Sequence, residues 1–143
     1  MDKTTWLAAT IEEPVDSLEE IVDPHHHLWD FPTGTYLLPE LHQDTGAGHN
    51  VTQTVFVECG AGYRDQGPEH LRPVGEIEFV RGQAELSAEQ EGAEIAAIVG
   101  FADLTRGEAV EEVLEAQQAA GGGRFRGIRH ANAWDASDQI RES

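Results

Sequence analysis

The sequence predicts an α/β fold built on a parallel sheet, and three observations predict it. Apolar runs rich in β-branched residues recur along the chain, segments of helical period separate them, and glycine-rich stretches close the units. With 143 residues the chain is long enough for one domain with a real core.

Residues 1–20 are polar and acidic without a clear period, which predicts an N-terminal arm ahead of a single domain over 21–143. The first buried element begins at Ile21-Val22-Asp23 and runs into His25-His26-His27 and a Pro/Gly-containing loop at 31–35, the pattern of a strand delivering side chains to a site. Residues 36–50 have room for one short helix. The second strand, 51–58, is dense in Val and Thr and is closed by Cys59-Gly60-Ala61-Gly62. A helix follows over about 68–90, with Leu71, Val74, Ile77, Val80 and Leu86 as its apolar face. Residues 95–102 form the third strand. Asp103 or Thr105 then caps a helix whose apolar face includes Ala109, Val110, Val113 and Leu114, ending at Gly121-Gly122-Gly123. Phe125 to Arg129 is the fourth strand. Strands alternating with helices in this way imply βαβ units and a parallel sheet covered on both faces.

Composition excludes several classes. The 27 acidic and 9 basic side chains leave a formal charge of −18, which repels a phosphate backbone or an anionic membrane surface, so no nucleic acid and no membrane is expected as partner. The single cysteine, Cys59, cannot form an internal disulfide and fits a reducing compartment. No apolar run approaches the ~18 residues of a membrane span, and acids stand where a signal peptide needs a basic start. The expectation is a soluble, cytoplasmic chain.

The chemistry concentrates at the strand ends. His25 and His27 are two apart, so strand alternation aims both the same way and lets them grip one divalent metal ion, with zinc the first candidate. His26 points to the other face and is read as a packing or hydrogen-bonding residue. Glu58 closes the second strand on the face of Thr54 and Phe56. There it hydrogen-bonds substrate, supports a metal-bound histidine, or is a solvated acid at a strand end. Arg129 ends the fourth strand in register with Phe125 and Gly127, and its planar guanidinium suits a substrate carboxylate. His130 is a further candidate substrate ligand. Asp103 is read first as a helix cap, and Cys59 as a buried, unreactive thiol. Gly100 and Gly127 are positions of close approach. Trp29 and Trp134 are candidate pocket-lining aromatics, with simple packing as the alternative.

The run DPHHHLWD at 23–30 resembles the first-strand motif of the amidohydrolase-related (amidohydrolase 2) family of metal-dependent hydrolases, in particular its lactonase-like branch. VGFADL at 99–104 and FRGIRH at 125–130 are similar to that branch's third- and fourth-strand signatures, in the same order. The resemblance implies a (β/α)8 TIM-barrel type of fold, of which this chain holds the first four βα units, with the active site at the C-terminal ends of the strands. It implies that His25 and His27 are metal ligands and that the remaining ligands, on later strands, lie beyond this chain. Some lactonases of the branch work without metal, using the same histidines to bind substrate.

Two classes of function follow. The first is a hydrolase of a lactone or similar cyclic ester of a carboxylated small molecule, acting through a divalent metal, or a metal-dependent decarboxylase of the same superfamily. The second is a truncated, non-catalytic half-barrel, expected because residues 135–143 read as the start of a further loop and helix. Four βα units leave two sheet edges open, so a homo-oligomer or pairing with a missing C-terminal half is expected to cover them.

Overall fold

The computed structural model describes residues 12–131, together with Thr5, Trp6, Ala9, Ala136, Ser137 and Gln139. The elements run β1 (Glu20–His26), β2 (Trp29–Phe31), β3 (Gly34–Tyr36), α1 (Leu38–Thr45), β4 (Asn50–Val57), α2 (Val74–Ala88), β5 (Glu94–Gly100), α3 (Glu111–Ala120) and β6 (Phe125–Ile128). Short 3-10 turns at Glu69–Leu71 and Leu104–Val110 lead into α2 and α3. Strands β1, β4, β5 and β6 form one sheet in that order, each pair parallel, and β2 and β3 form a separate antiparallel hairpin. The four expected strands and the short helix after the first are therefore present. The hairpin replaces what the sequence pattern presents as a loop: two three-residue strands are too short for periodicity to register.

The helices cover one face of the sheet. Leu38 and Leu41 of α1 and Ile77, Val80 and Ala84 of α2 enclose Phe56, Ile95 and Ile98 in a single core with Leu28. A Cβ built on Gly100 would meet both Gln117 of α3 and Ile77 of α2, so α3 lies on that same side. The expectation of cover on both faces is corrected here. Strand order advances in one direction, so successive right-handed crossovers all return on one side, and helices reach the second face only where strand order reverses. The opposite face presents Val22, Gln53, Val55, Ala97 and Val99, all half-buried or exposed, with Val57 buried at its C-terminal end.

Local chemistry explains the boundaries. The Glu40 carboxylate accepts the N–H of Leu37 at the start of α1, and the Thr45 hydroxyl donates to the carbonyl of Leu41 at its end. Arg81 donates to the carbonyl of Ala120, satisfying an acceptor that the end of α3 would leave orphaned and tying α3 to α2. The Ser87 hydroxyl donates to the Ala84 carbonyl and accepts the N–H of Ile95, which joins the end of α2 to the start of β5. The buried stripe of α2 is Glu76, Ile77, Val80, Ala84 and Ser87, whereas Leu86, expected inward, is 45% exposed. In the last unit, Gly107 departs from helical geometry (φ 58°, ψ −132°), so a 3-10 turn precedes α3 and Ala109 is exposed. Among the described residues no helix is long and apolar enough to cross a membrane.

Gly100, the last residue of β5, shows why a strand end packed under helices takes glycine. A Cβ there would lie 2.5 Å from Gln117 Oε1 and 2.7 Å from Ile77 Cδ1, so the close approach is that of helix side chains. At Gly127 an added Cβ meets nothing within 4 Å. Gly100→Ala is therefore expected to lower unfolding free energy by about 1–3 kcal/mol through overpacking, while Gly127→Ala changes it by less than about 1 kcal/mol. Urea denaturation of the two variants measures the difference, and equal effects would refute the packing explanation.

Candidate functional site

The C-terminal edge of the sheet gathers most of the chemistry-bearing residues. On β1 the register slips between Asp23 and His26, which pair with Thr54 and Phe56, so three steps on β1 match two on β4. Pro24 lies inside that slip. It has no N–H to give a ladder, and an irregular stretch of an edge strand is where a sheet tolerates proline. The extra residue sends His26 to the helix face, where its ring meets Phe56 edge-on at 5.8 Å.

His25 and His27 converge, with their Nε2 atoms 3.2 Å apart and their rings nearly perpendicular. His27 Nδ1 sits 2.7 Å from the carbonyl oxygen of Val57. A carbonyl can only accept, so Nδ1 carries the proton and Nε2 presents its lone pair toward His25. The backbone N–H of His25 is held by the Asp23 carboxylate at 3.0 Å. Two zinc–nitrogen bonds of about 2.0–2.1 Å at the tetrahedral angle would separate ligand nitrogens by about 3.3 Å, so the spacing suits two ligands of one ion. Among the described residues no third His, Cys, Asp or Glu completes a metal-binding group.

Glu58 and Arg129 are brought together from positions 71 apart in sequence. Arg129 Nε donates to Glu58 Oε1 at 2.7 Å and its Nη2 donates to the Glu58 carbonyl, also at 2.7 Å. The strand ends themselves are bonded, Glu58 N–H to Val99 and Arg129 N–H to Gly100. The histidine pair and the ion pair thus hang on consecutive carbonyls at the end of β4, those of Val57 and Glu58. Support for His27 comes from the Val57 carbonyl, and Glu58 holds Arg129. On β6 the register also slips. Phe125 pairs with Ile98 and Gly127 with Val99, so Phe125 and Gly127 sit on opposite faces and the simple alternation drawn through Phe125, Gly127 and Arg129 does not hold.

His130 stands apart from both pairs. Its Nδ1 accepts the N–H of Leu104 at 2.9 Å, its ring lies edge-on to Phe101 at 5.6 Å, and its Nε2 carries the proton. Phe101 lines a cleft of about 480 Å³ with Glu69, His70, Pro73, Asp103 and Arg106. Asp103 is the cap that the sequence suggests: its Oδ1 accepts from the N–H and the hydroxyl of Thr105, and those bonds hold its carboxyl below the ordinary carboxylate range.

A second cleft of about 460 Å³ runs along the outer edge of β1, and His25, His26, His27, Trp29, Tyr36 and Asp44 help line it. Glu58, Arg129 and His130 are not among its lining residues. Trp29 stacks on Tyr36 at 5.1 Å, and the Tyr36 hydroxyl donates to Asp44 at 2.7 Å. Burial first, and then Asp44, raises the Tyr36 pKa above its ordinary value. Tyr36 and Asp44 escape sequence reasoning because their place depends on the hairpin. Trp134 lies outside the described residues.

Glu76 is the other residue missed. It is fully buried, and its Oε1 accepts the N–H groups of Cys59 and Ala61 at 3.0 and 2.8 Å, while Oε2 has no partner among the described residues. Burial raises its pKa against the pull of those N–H bonds. Its position on the buried stripe of α2, one residue before Ile77, is the signal that could have found it. His26 is likewise buried, and burial lowers its pKa to about 4.

No protein-family model, curated protein or solved structure matches the chain.

Cys59 is half-buried, its Sγ lies 3.4 Å from the Leu28 carbonyl, and burial pushes the thiol up to about 11. Only the thiolate reacts with a disulfide reagent. Modification by such a reagent is therefore expected to be slow at pH 7.5 and to rise about tenfold per pH unit up to about pH 10. A rate that levels off near pH 8.5 would show an ordinary, unperturbed thiol.

Proposed function

We propose that the chain belongs to a hydrolase that opens a lactone or similar cyclic ester of a carboxylated small molecule, with its site at the C-terminal strand edge. The observation that carries this reading is the convergence of His25 and His27 on one point at 3.2 Å, with His27 oriented through Val57. A divalent ion bound there would supply the Lewis acid that polarises an ester carbonyl or activates water. His25 and His27 are the residues of this chain that would hold it.

Arg129 is the anchor for the substrate carboxylate. Its guanidinium has five N–H donors, and Glu58 engages the Nε and Nη2 groups, fixing the plane of the fork while leaving further donors for a second carboxylate. A fully displaced arginine would have to be ordered again at each binding event, so the Glu58 contact lowers the cost of recognition. His130, with Nε2–H available as a donor, belongs to the more distant part of the same edge.

Sequential strand order with all helices on one face supports reading the four units as half of an eight-stranded (β/α)8 barrel of the amidohydrolase-related kind. The uncovered sheet face favours a second reading, a half-barrel that is not catalytic by itself.

Calorimetric titration with Zn²⁺ tests the histidine pair. The wild-type chain is expected to bind one ion, and His25→Ala or His27→Ala to weaken binding by at least about tenfold. A carboxylated γ-lactone assayed with and without chelator tests the reaction. Absence of both zinc binding and turnover would sink the hydrolase reading, while zinc binding without turnover would favour the non-catalytic half-barrel.

A further inference from the structure

The two ends of the sheet differ in charge. Arg124, Arg126 and Arg129 lie on or beside β6, three of the nine basic residues of a chain whose formal charge is −18. Glu19, Glu20 and Asp23 lie on or beside β1. Both are edge strands, each bonded to a single neighbour. Arg124 is engaged with Glu94 at 3.3 Å and Arg129 with Glu58. Arg126 is exposed and donates to the carbonyls of Gly123 and Phe125, and among the described residues no carboxylate pairs with it.

Three further observations bear on what covers these edges. Every strand pair in the sheet is parallel, and all three helices lie on one face. The other face is largely apolar and uncovered, with Val22 51% exposed. His26, 8% exposed, lines the cleft along the free edge of β1.

From these we infer that two copies of this chain associate into a closed eight-stranded barrel, β6 of each copy pairing in parallel with β1 of the other. A two-fold axis along the strands keeps all eight parallel and closes the ring after two copies, so neither edge remains. Eight strands give an interior narrow enough for side chains to fill, which turns the uncovered face into a packed core with the helices outside. Glu19 and Glu20 at the free edge of β1, and Arg126, the arginine of β6 that pairs with no carboxylate among the described residues, make each of the two identical junctions attractive despite the overall charge. His26, Phe56, Ile98 and Phe125 lie level across the sheet. Closing eight strands with the usual shear staggers each half by about four residues, which brings Arg126 down to the acidic lower half of the partner's β1, toward Glu20. The inference does not depend on the chain hydrolysing any substrate.

Sedimentation velocity of the full chain at tens of micromolar tests it. The expected species has about twice the 15.6 kDa mass of one chain. Arg126→Glu alone and Glu20→Arg alone should each raise the dimer dissociation constant at least about tenfold, because two junctions lose an attraction and gain a repulsion. The double reversal in one chain restores the pair with opposite sense and should return the constant to within about threefold of wild type. Circular dichroism of each variant separates loss of pairing from loss of fold, and rescue by the double reversal cannot arise from misfolding. A wild-type monomer, an open-ended polymer, or a dimer indifferent to both single reversals would overturn the inference; the last would place the interface on another face.

Discussion

Parallel pairing in chain order is the constraint on which the rest of the structure depends. A parallel neighbour can be reached only by a crossover, and a crossover of fixed hand that always advances in one direction returns on the same side each time. Three consequences follow together here. The helices stack on one face, the strands all end at the same edge, and the second face is left to the sheet alone. The residues at 25, 27, 58, 129 and 130 share an edge for this reason, although more than a hundred residues separate the first from the last.

Within that frame, irregularities do the aiming. A regular β1 would keep strict alternation through Asp23, Pro24, His25 and His26. The register slip around Pro24 instead turns both Asp23 and His26 toward the helix side, matched to Thr54 and Phe56. His25 and His27 then meet across the top of the strand, and the backbone of β4 sets the tautomer of His27. Because a main-chain carbonyl cannot rotate away as a side chain can, this orientation is as rigid as the sheet itself. Arg129 is held in a similar way, by one carboxylate oxygen and one carbonyl of the same residue.

Polar groups inside the core have a comparable structural use. Glu76 reaches from the first turn of α2 to two N–H groups in the loop leaving β4, which otherwise would be buried without acceptors. Gln117 donates to the carbonyl of Phe101 just beyond β5. Each side chain stitches a helix to the segment that follows a strand, so the loops bearing Glu58 and Asp103 are fixed from beneath. Burying a carboxylate is costly, and the N–H groups it accepts are what offset that cost.

Much of this was legible in the sequence. The β-branched runs, the glycine-closed units and the spacing of apolar residues determined four strands, their alternation with helices and their parallel sense, because those properties follow from local periodicity. The HxH spacing determined that His25 and His27 point the same way. Only the tertiary structure decided that Glu58 belongs to Arg129, that His130 turns toward Leu104 and that Glu76 is a buried clasp, since each depends on a partner 15 to 71 positions away. It also decided the hairpin at Trp29 and Tyr36 and the slips in β1 and β6. Register is a property of two strands together, so neither strand's own sequence contains it.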